Sequence, residues 1–213
     1  YTLMQEGWHY ELDAPDGELS YKGVVFNEMK GAYSSPDSVM EEKSKAVLFP
    51  NTPYAYDSGG NPVNIPDLTF EQFKKFHEDF YHPSNARIFF YGDDDPEERL
   101  RLIDAAFDGY AAKKIDTQVT LQPRFHKPGS TRERYESSDD PNAKAQVTVN
   151  WMLPEITSLE ESLGMRILEH ILIGTPASPL RKALIDSGLG EDLAGVGLEV
   201  HLRQMMVSIG LKG

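Results

Sequence analysis

Cysteine is absent from the 213 residues. That excludes disulfides, thiolate metal sites and a cysteine nucleophile, and it fits a reducing compartment. Basic residues are outnumbered: 21 Lys and Arg stand against 34 Asp and Glu, a formal charge of −13. A nucleic-acid footprint would be basic, so the expectation is no nucleic-acid partner. Long apolar runs are missing too. None approaches the roughly 18–20 residues of a membrane span. The sequence has no G-x-x-x-x-G-K-[ST], G-x-G-x-x-G or G-x-S-x-G, so neither a phosphate-cradling loop nor a serine nucleophile elbow has support. The opening Tyr1-Thr2-Leu3 carries no initiator Met and no signal or transit peptide. The expectation is a removed leader or a piece of something longer, and the end at "VSIGLKG" reads as a cut as well.

What is present is enough for a core. Hydrophobic residues make up 39% of the chain, a globular composition rather than a disordered one. The acidity is accounted for first by ordinary solubility, and it would also favour encounter with cationic partners, basic peptides among them.

Local signals lay out the elements. Residues 1–20 read as loop and turn around Pro15-Asp16-Gly17. Residues 22–33 read as helical, and a second helix starts near Pro36, whose ring suits a first turn. A long Pro/Gly/Asn loop, "PNTPYAYDSGGNPVNIPDL", follows; loops of that length are often functional. Thr69 to Gln72 is a capping box, and Phe70, Phe73, Phe76, His77 and Phe80 mark one face of a helix running to about Tyr81. "RIFFYGD" reads as a buried strand over Arg87 to Gly92. Asp95 and Pro96 open the next helix. Residues 113–143 read as a polar connection with one edge strand. Gln146 to Leu153 alternates like a strand, Ser158 to Glu161 opens a helix, Pro179 starts a short one, Gly188 caps it, and "RQMMVSIGLKG" is a final strand. Helices packed on a sheet in this order predict an α+β sandwich. A domain boundary is expected within the 113–143 connection or earlier; the chain divides into 1–112, the end of one α/β domain and the start of a second, and 113–213, a connection and the rest of the second.

Candidate chemistry is sparse. None of the six histidines, His9, His77, His82, His126, His170 and His201, lies in an H-E-x-x-H or H-x-x-E-H motif. Glu169-His170 is half of one at best. Asp93-Asp94-Asp95 clusters carboxylates, but an N-cap and the helix dipole account for them. Glu28 follows the apolar run Gly23-Val24-Val25-Phe26. From the residues alone it is either a solvated helix side chain or, if buried, a carboxylate that must be paired or metal-bound.

Several longer stretches carry a resemblance: "QEGWHYEL", "YKGVVFNEMKG", "YDSGGNPVNIPDLTFEQFKKFHEDFYHPSNARIFFYGDDDP" and "GTPASPLRKALIDSGLGEDL". The chain resembles the presequence protease family, zinc metallopeptidases of the pitrilysin class, over nearly its whole length, with wording closest to plant and algal members. The resemblance implies an internal part of the N-terminal half, built from antiparallel sheets flanked by helices. It implies a zinc metalloendopeptidase that degrades cleaved targeting peptides and other short unfolded, basic peptides in the mitochondrial matrix and/or chloroplast stroma. In this family the two zinc-binding histidines and the general base come from an H-x-x-E-H helix. The third ligand is a glutamate in the "GVVFNEMKG" segment, here Glu28. The H-x-x-E-H helix is placed upstream of Tyr1, so the remaining parts of the protease are expected partners and no catalytic residue is assigned within this chain. Trp8, Tyr54, Tyr56 and the Ser58-Gly59-Gly60 loop read either as substrate neighbours or as packing and turn residues. A non-catalytic pitrilysin-like subunit and a basic-peptide-binding module are the alternatives.

Overall fold

A computed structural model describes residues 1–136 and 145–213. They form two compact units, one of residues 1–66 and 119–213 and one of residues 67–118.

The first unit begins with a short helix, α1 (Thr2–Glu6), and a two-stranded ribbon, β1 (His9–Glu11) and β2 (Ser20–Lys22). The strands pair antiparallel, with Tyr10 opposite Tyr21. Here the loop expected over residues 1–20 is corrected. Three-residue strands carry too little alternation to be read in advance, and the pairing crosses an eight-residue turn.

Gly23 ends the ribbon and starts α2 (Val24–Tyr33). Its φ of +144° and its approach to the Trp8 backbone, where an added Cβ would come within 2.7 Å of the Trp8 Cα, admit glycine and nothing larger. Helix α3 (Pro36–Leu48) follows, with the Ser35 hydroxyl accepting from the Ser38 N–H at 3.4 Å and Pro36 in the first turn.

The chain later returns as β3 (Gln146–Glu155), α6 (Leu159–Ile173), α7 (Pro179–Asp186), β4 (Asp192–Glu199) and β5 (Gln204–Lys212). The three strands make an antiparallel sheet in the order β3-β5-β4. Strand β4 is absent from the sequence reading. Gly195 and Gly197 break its alternation, and both take positive φ at a shift in register between Ala194 and Gly197. Caps are where expected: Ser158 accepts from Glu161 N–H at 3.1 Å, and Gly188 follows the end of α7.

Two apolar clusters hold this unit. Leu48, Phe49 and Met206 pack with Tyr54, Met152 and Leu202, joining the end of α3 to the sheet. Phe26, Met29 and Ile65 pack with Trp8, Ala32 and Tyr33 under α2. The edge strand expected within 113–143 does not form among the described residues; the end of that span, 137–143, lies outside them. Instead Gln122, buried, is clasped by a side chain of β5. The Gln204 carbonyl oxygen accepts from Gln122 N–H at 2.6 Å, and its amide donates to the Gln122 carbonyl at 3.1 Å. The Gln122 side-chain oxygen accepts from Asn51 N–H at 2.9 Å, so the buried amides are satisfied.

The second unit holds α4 (Phe70–Phe80) and α5 (Pro96–Phe107). The Thr69 capping box is formed reciprocally, with Gln72 N–H to the Thr69 hydroxyl at 3.2 Å and Thr69 N–H to the Gln72 side chain at 2.8 Å. Asp95 accepts from Glu97 N–H at 2.8 Å. The strand expected at Arg87 to Gly92 does not form. Among the described residues the second unit has no other strand to pair with it, and Phe89 and Tyr91 are 86% and 94% exposed rather than buried.

Candidate functional site

Glu28 lies on α2, the helix that seats on the core through Phe26 and Met29, both buried. Met29 and Tyr33 lie three and seven residues beyond Phe26, one stripe of a 3.6-residue helix. Glu28 is on a different face. Val24, four residues before it, is exposed with it, and Gly31, three residues on, meets nothing within 4 Å of where a Cβ would stand. The result is a rigidly seated helix showing an apolar residue, a carboxylate and a small residue along one open strip. Among the described residues no hydrogen bond or ion pair reaches the Glu28 carboxylate.

The underside of α2 is chemically different. The Tyr33 hydroxyl is buried. That burial, reinforced by the carboxylates of Glu42 and Asp57, pushes its pKa up to about 12. It stays protonated and cannot serve as a base near neutrality. Asp57 accepts from Gly59 N–H at 2.8 Å, tightening the 57–60 turn, and Gly59 lies directly against the Met29 sulfur. The Ser58-Gly59-Gly60 loop is therefore a packing element for α2. Tyr54 is one as well: its ring meets Phe49 at 5.8 Å and its oxygen accepts from Arg203 N–H at 2.9 Å. Tyr56 stays exposed, and Trp8 packs on the Phe26 cluster.

The histidines do not converge. His77, placed by its spacing on the aromatic face of α4, is exposed and stacks on Tyr81 at 4.7 Å. His82 caps a short turn, accepting from Ser84 N–H at 3.1 Å. His170 is exposed on α6. Asp94 pairs with Arg99, and Asp95 caps α5, so the acidic run is occupied structurally. Among the described residues no group of three or more metal-binding side chains is assembled. A zinc site needs three protein ligands, and Glu28 alone offers one. The described residues do not by themselves make such a site.

A small cavity, about 180 Å³, lies between α3 and the sheet, walled by Met40, Ser44, Ala194, Met206 and Ser208. Asp37 and Lys212 also border it, paired at 2.8 Å. The Lys212 ammonium, then the Gln146 amide, holds the Asp37 carboxyl below its ordinary range. Ligand pockets run to about 300–1,000 Å³, so this one is too small for a peptide.

Against known proteins, the family described as "Peptidase M16 inactive domain" matches residues 67–212. The chain belongs to the M16 peptidase family. The match begins after Glu28, so the candidate ligand lies outside it. "Presequence protease 1, chloroplastic/mitochondrial" of Arabidopsis thaliana is 48% identical over 100% of this chain and 20% of its own length. "Protein HypA" of Clostridium perfringens is 43% identical over 91% of this chain and 20% of its own length. The chain thus spans about a fifth of the length of the curated relatives it matches. A protease from Helicobacter pylori superposes with a TM-score of 0.54 at 21% identity, over 88% of this chain and 45% of that one. That likeness speaks to fold alone, and it agrees with the α+β arrangement of helices and antiparallel sheets expected from the sequence. The resemblance to presequence proteases holds, and the relatives' names support a mitochondrial and/or chloroplast location. Among the described residues no helix is long and apolar enough to cross a membrane.

Proposed function

We propose that this chain is the part of a presequence-degrading zinc metalloendopeptidase that contributes the third zinc ligand, Glu28, from α2. The observation that carries the reading is the open strip Val24, Glu28 and Gly31 on a helix whose opposite side is locked into the core. A carboxylate held without a partner beside a small residue suits a second helix bringing the remaining ligands. When bound, the zinc would acidify a water for attack on a peptide carbonyl. The chain's own part is to hold the Glu28 carboxylate at a fixed position through Phe26 and Met29. On this reading the chain alone does not hydrolyse peptides, because the general base lies elsewhere. Substrates are short unfolded basic peptides, favoured by a formal charge of −13. The division into 1–112, the end of one α/β domain and the start of a second, and 113–213, a connection and its remainder, belongs to the same reading.

The test is Glu28→Gln in a longer protein that carries both this segment and an H-x-x-E-H helix. Zinc content after dialysis is measured alongside cleavage of an arginine-rich peptide. Loss of both supports the assignment; unchanged zinc content sinks it.

A further inference from the structure

We propose that the β1–β2 ribbon is a docking surface for arginine side chains of a basic peptide. This rests on the basic-peptide part of the reading above and is independent of zinc ligation by Glu28.

The ribbon has two unlike faces. Antiparallel register sets Tyr10 opposite Tyr21, and Trp8, two residues before Tyr10, falls on the same side. Their rings form a continuous patch, with Trp8 to Tyr10 at 5.5 Å, Trp8 to Tyr21 at 5.6 Å and Tyr10 to Tyr21 at 5.1 Å. Tyr21 also meets Phe26 at 6.0 Å, which ties the patch to the core. The other face is charged and paired within itself: Glu11 lies 3.8 Å from Lys22 and 3.6 Å from His9.

The aromatic face is partly exposed. Tyr10 is 57% and Tyr21 43% exposed. Two three-residue strands are marginal alone, so a half-open aromatic face on them is suited to a partner. Charge names that partner. Residues 1–22 contain five acidic side chains against one lysine. Glu6, Asp13, Asp16 and Glu18 are exposed and make no ion pair among the described residues. Three of the four stand in the turn joining the strands. Guanidinium groups stack on aromatic faces and pair with carboxylates at once. The cluster already takes one cation: the Lys30 ammonium lies 5.6 Å from the Phe26 ring centre.

The experiment uses the 213-residue chain in a Trp151→Phe background, so that Trp8 is the fluorescent reporter. An acid-free, arginine-rich peptide is titrated against it, with its citrulline counterpart as the neutral isostere. The arginine peptide is expected to shift Trp8 emission saturably and to bind more weakly as salt rises, while the citrulline peptide does not bind. Tyr10→Leu with Tyr21→Leu should weaken binding by about five- to thirty-fold, two exposed cation–aromatic contacts. Tyr10→Phe alone, which keeps the ring and risks no fold, should retain it. Asp13→Asn with Asp16→Asn and Glu18→Gln should flatten the salt dependence. No zinc enters this titration, so failure of the zinc assignment and failure of this one are told apart. Equal binding of the citrulline peptide, or binding indifferent to both the tyrosine and the turn variants, would overturn the proposal.

Discussion

Gly31→Ala separates the open strip on α2 from an ordinary solvent face. Gly31 lies within the last turn of α2, where glycine costs about 0.5–1 kcal/mol relative to alanine. A Cβ placed there meets nothing within 4 Å, so the added methyl neither clashes nor packs. Propensity is then the whole effect, and the 213-residue chain should gain about 0.5–1 kcal/mol. At roughly 2–4 °C per kcal/mol for a chain of this size, the melting temperature rises by about 1–4 °C. Urea or thermal unfolding followed by circular dichroism reads this directly.

The opposite sign is expected once a second helix covers the strip. In a longer protein that binds zinc through Glu28, the same methyl stands three residues from the ligand, where a helix must approach closely. Overpacking of that kind costs about 1–3 kcal/mol, read as lower zinc occupancy and slower peptide cleavage. A variant that stabilises this chain yet leaves the longer protein's zinc content and activity unchanged would refute the claim that the strip receives the ligand helix. A variant that destabilises the chain would refute the open strip itself.

Two further outcomes test the frame around the site. Phe49, 0% exposed between Met206 and Tyr54, joins the end of α3 to the sheet. Phe49→Ala should cost about 3–5 kcal/mol in urea unfolding, and a loss under about 1 kcal/mol would show that this cluster does not carry the unit. Tyr33 has a folded pKa of about 12 against an ordinary 10.0, raised by burial and by Glu42 and Asp57. Between those values the folded chain keeps a proton that the unfolded chain releases. The contribution to stability is therefore intact below pH 10 and is lost as pH rises toward 12. Tyr33→Phe should remove the latest component of the tyrosinate absorbance titration and make the alkaline loss of stability shallower. A titration unchanged by the substitution would contradict the buried hydroxyl.

How far the sequence was readable follows the range of the interactions involved. Thr69 with Gln72, Ser158 with Glu161, and Asp95 with Glu97 each close a hydrogen bond within three residues. Cap chemistry is complete inside that window, so the helix starts were legible. Strands are not complete locally. Tyr10 needs Tyr21, and Leu193 needs Leu211, across intervening chain that carries no mark of the pairing. "RIFFYGD" shows the converse. Its apolar run records that a segment suits burial, not that a partner exists, and no other strand accompanies it in its unit among the described residues.

Glu28 falls between these cases. The helix over residues 22–33 was legible, but the sequence left Glu28 open between solvent and burial; the structure decides it by burying Phe26 and Met29 on another face. On the proposed reading, what meets the Glu28 side is a helix from another part of the protease, and no periodicity within α2 encodes it. Two features narrow the choice without supplying the occupant. Gly31, where alanine would make the better helix, is costly unless something approaches closely. A carboxylate with no partner among the described residues is ordinary in water and costly when covered, unless a cation comes with the cover. The proposed arrangement, a covering helix that brings a metal, accommodates both features, and the substitutions at Glu28 and Gly31 test its two halves separately.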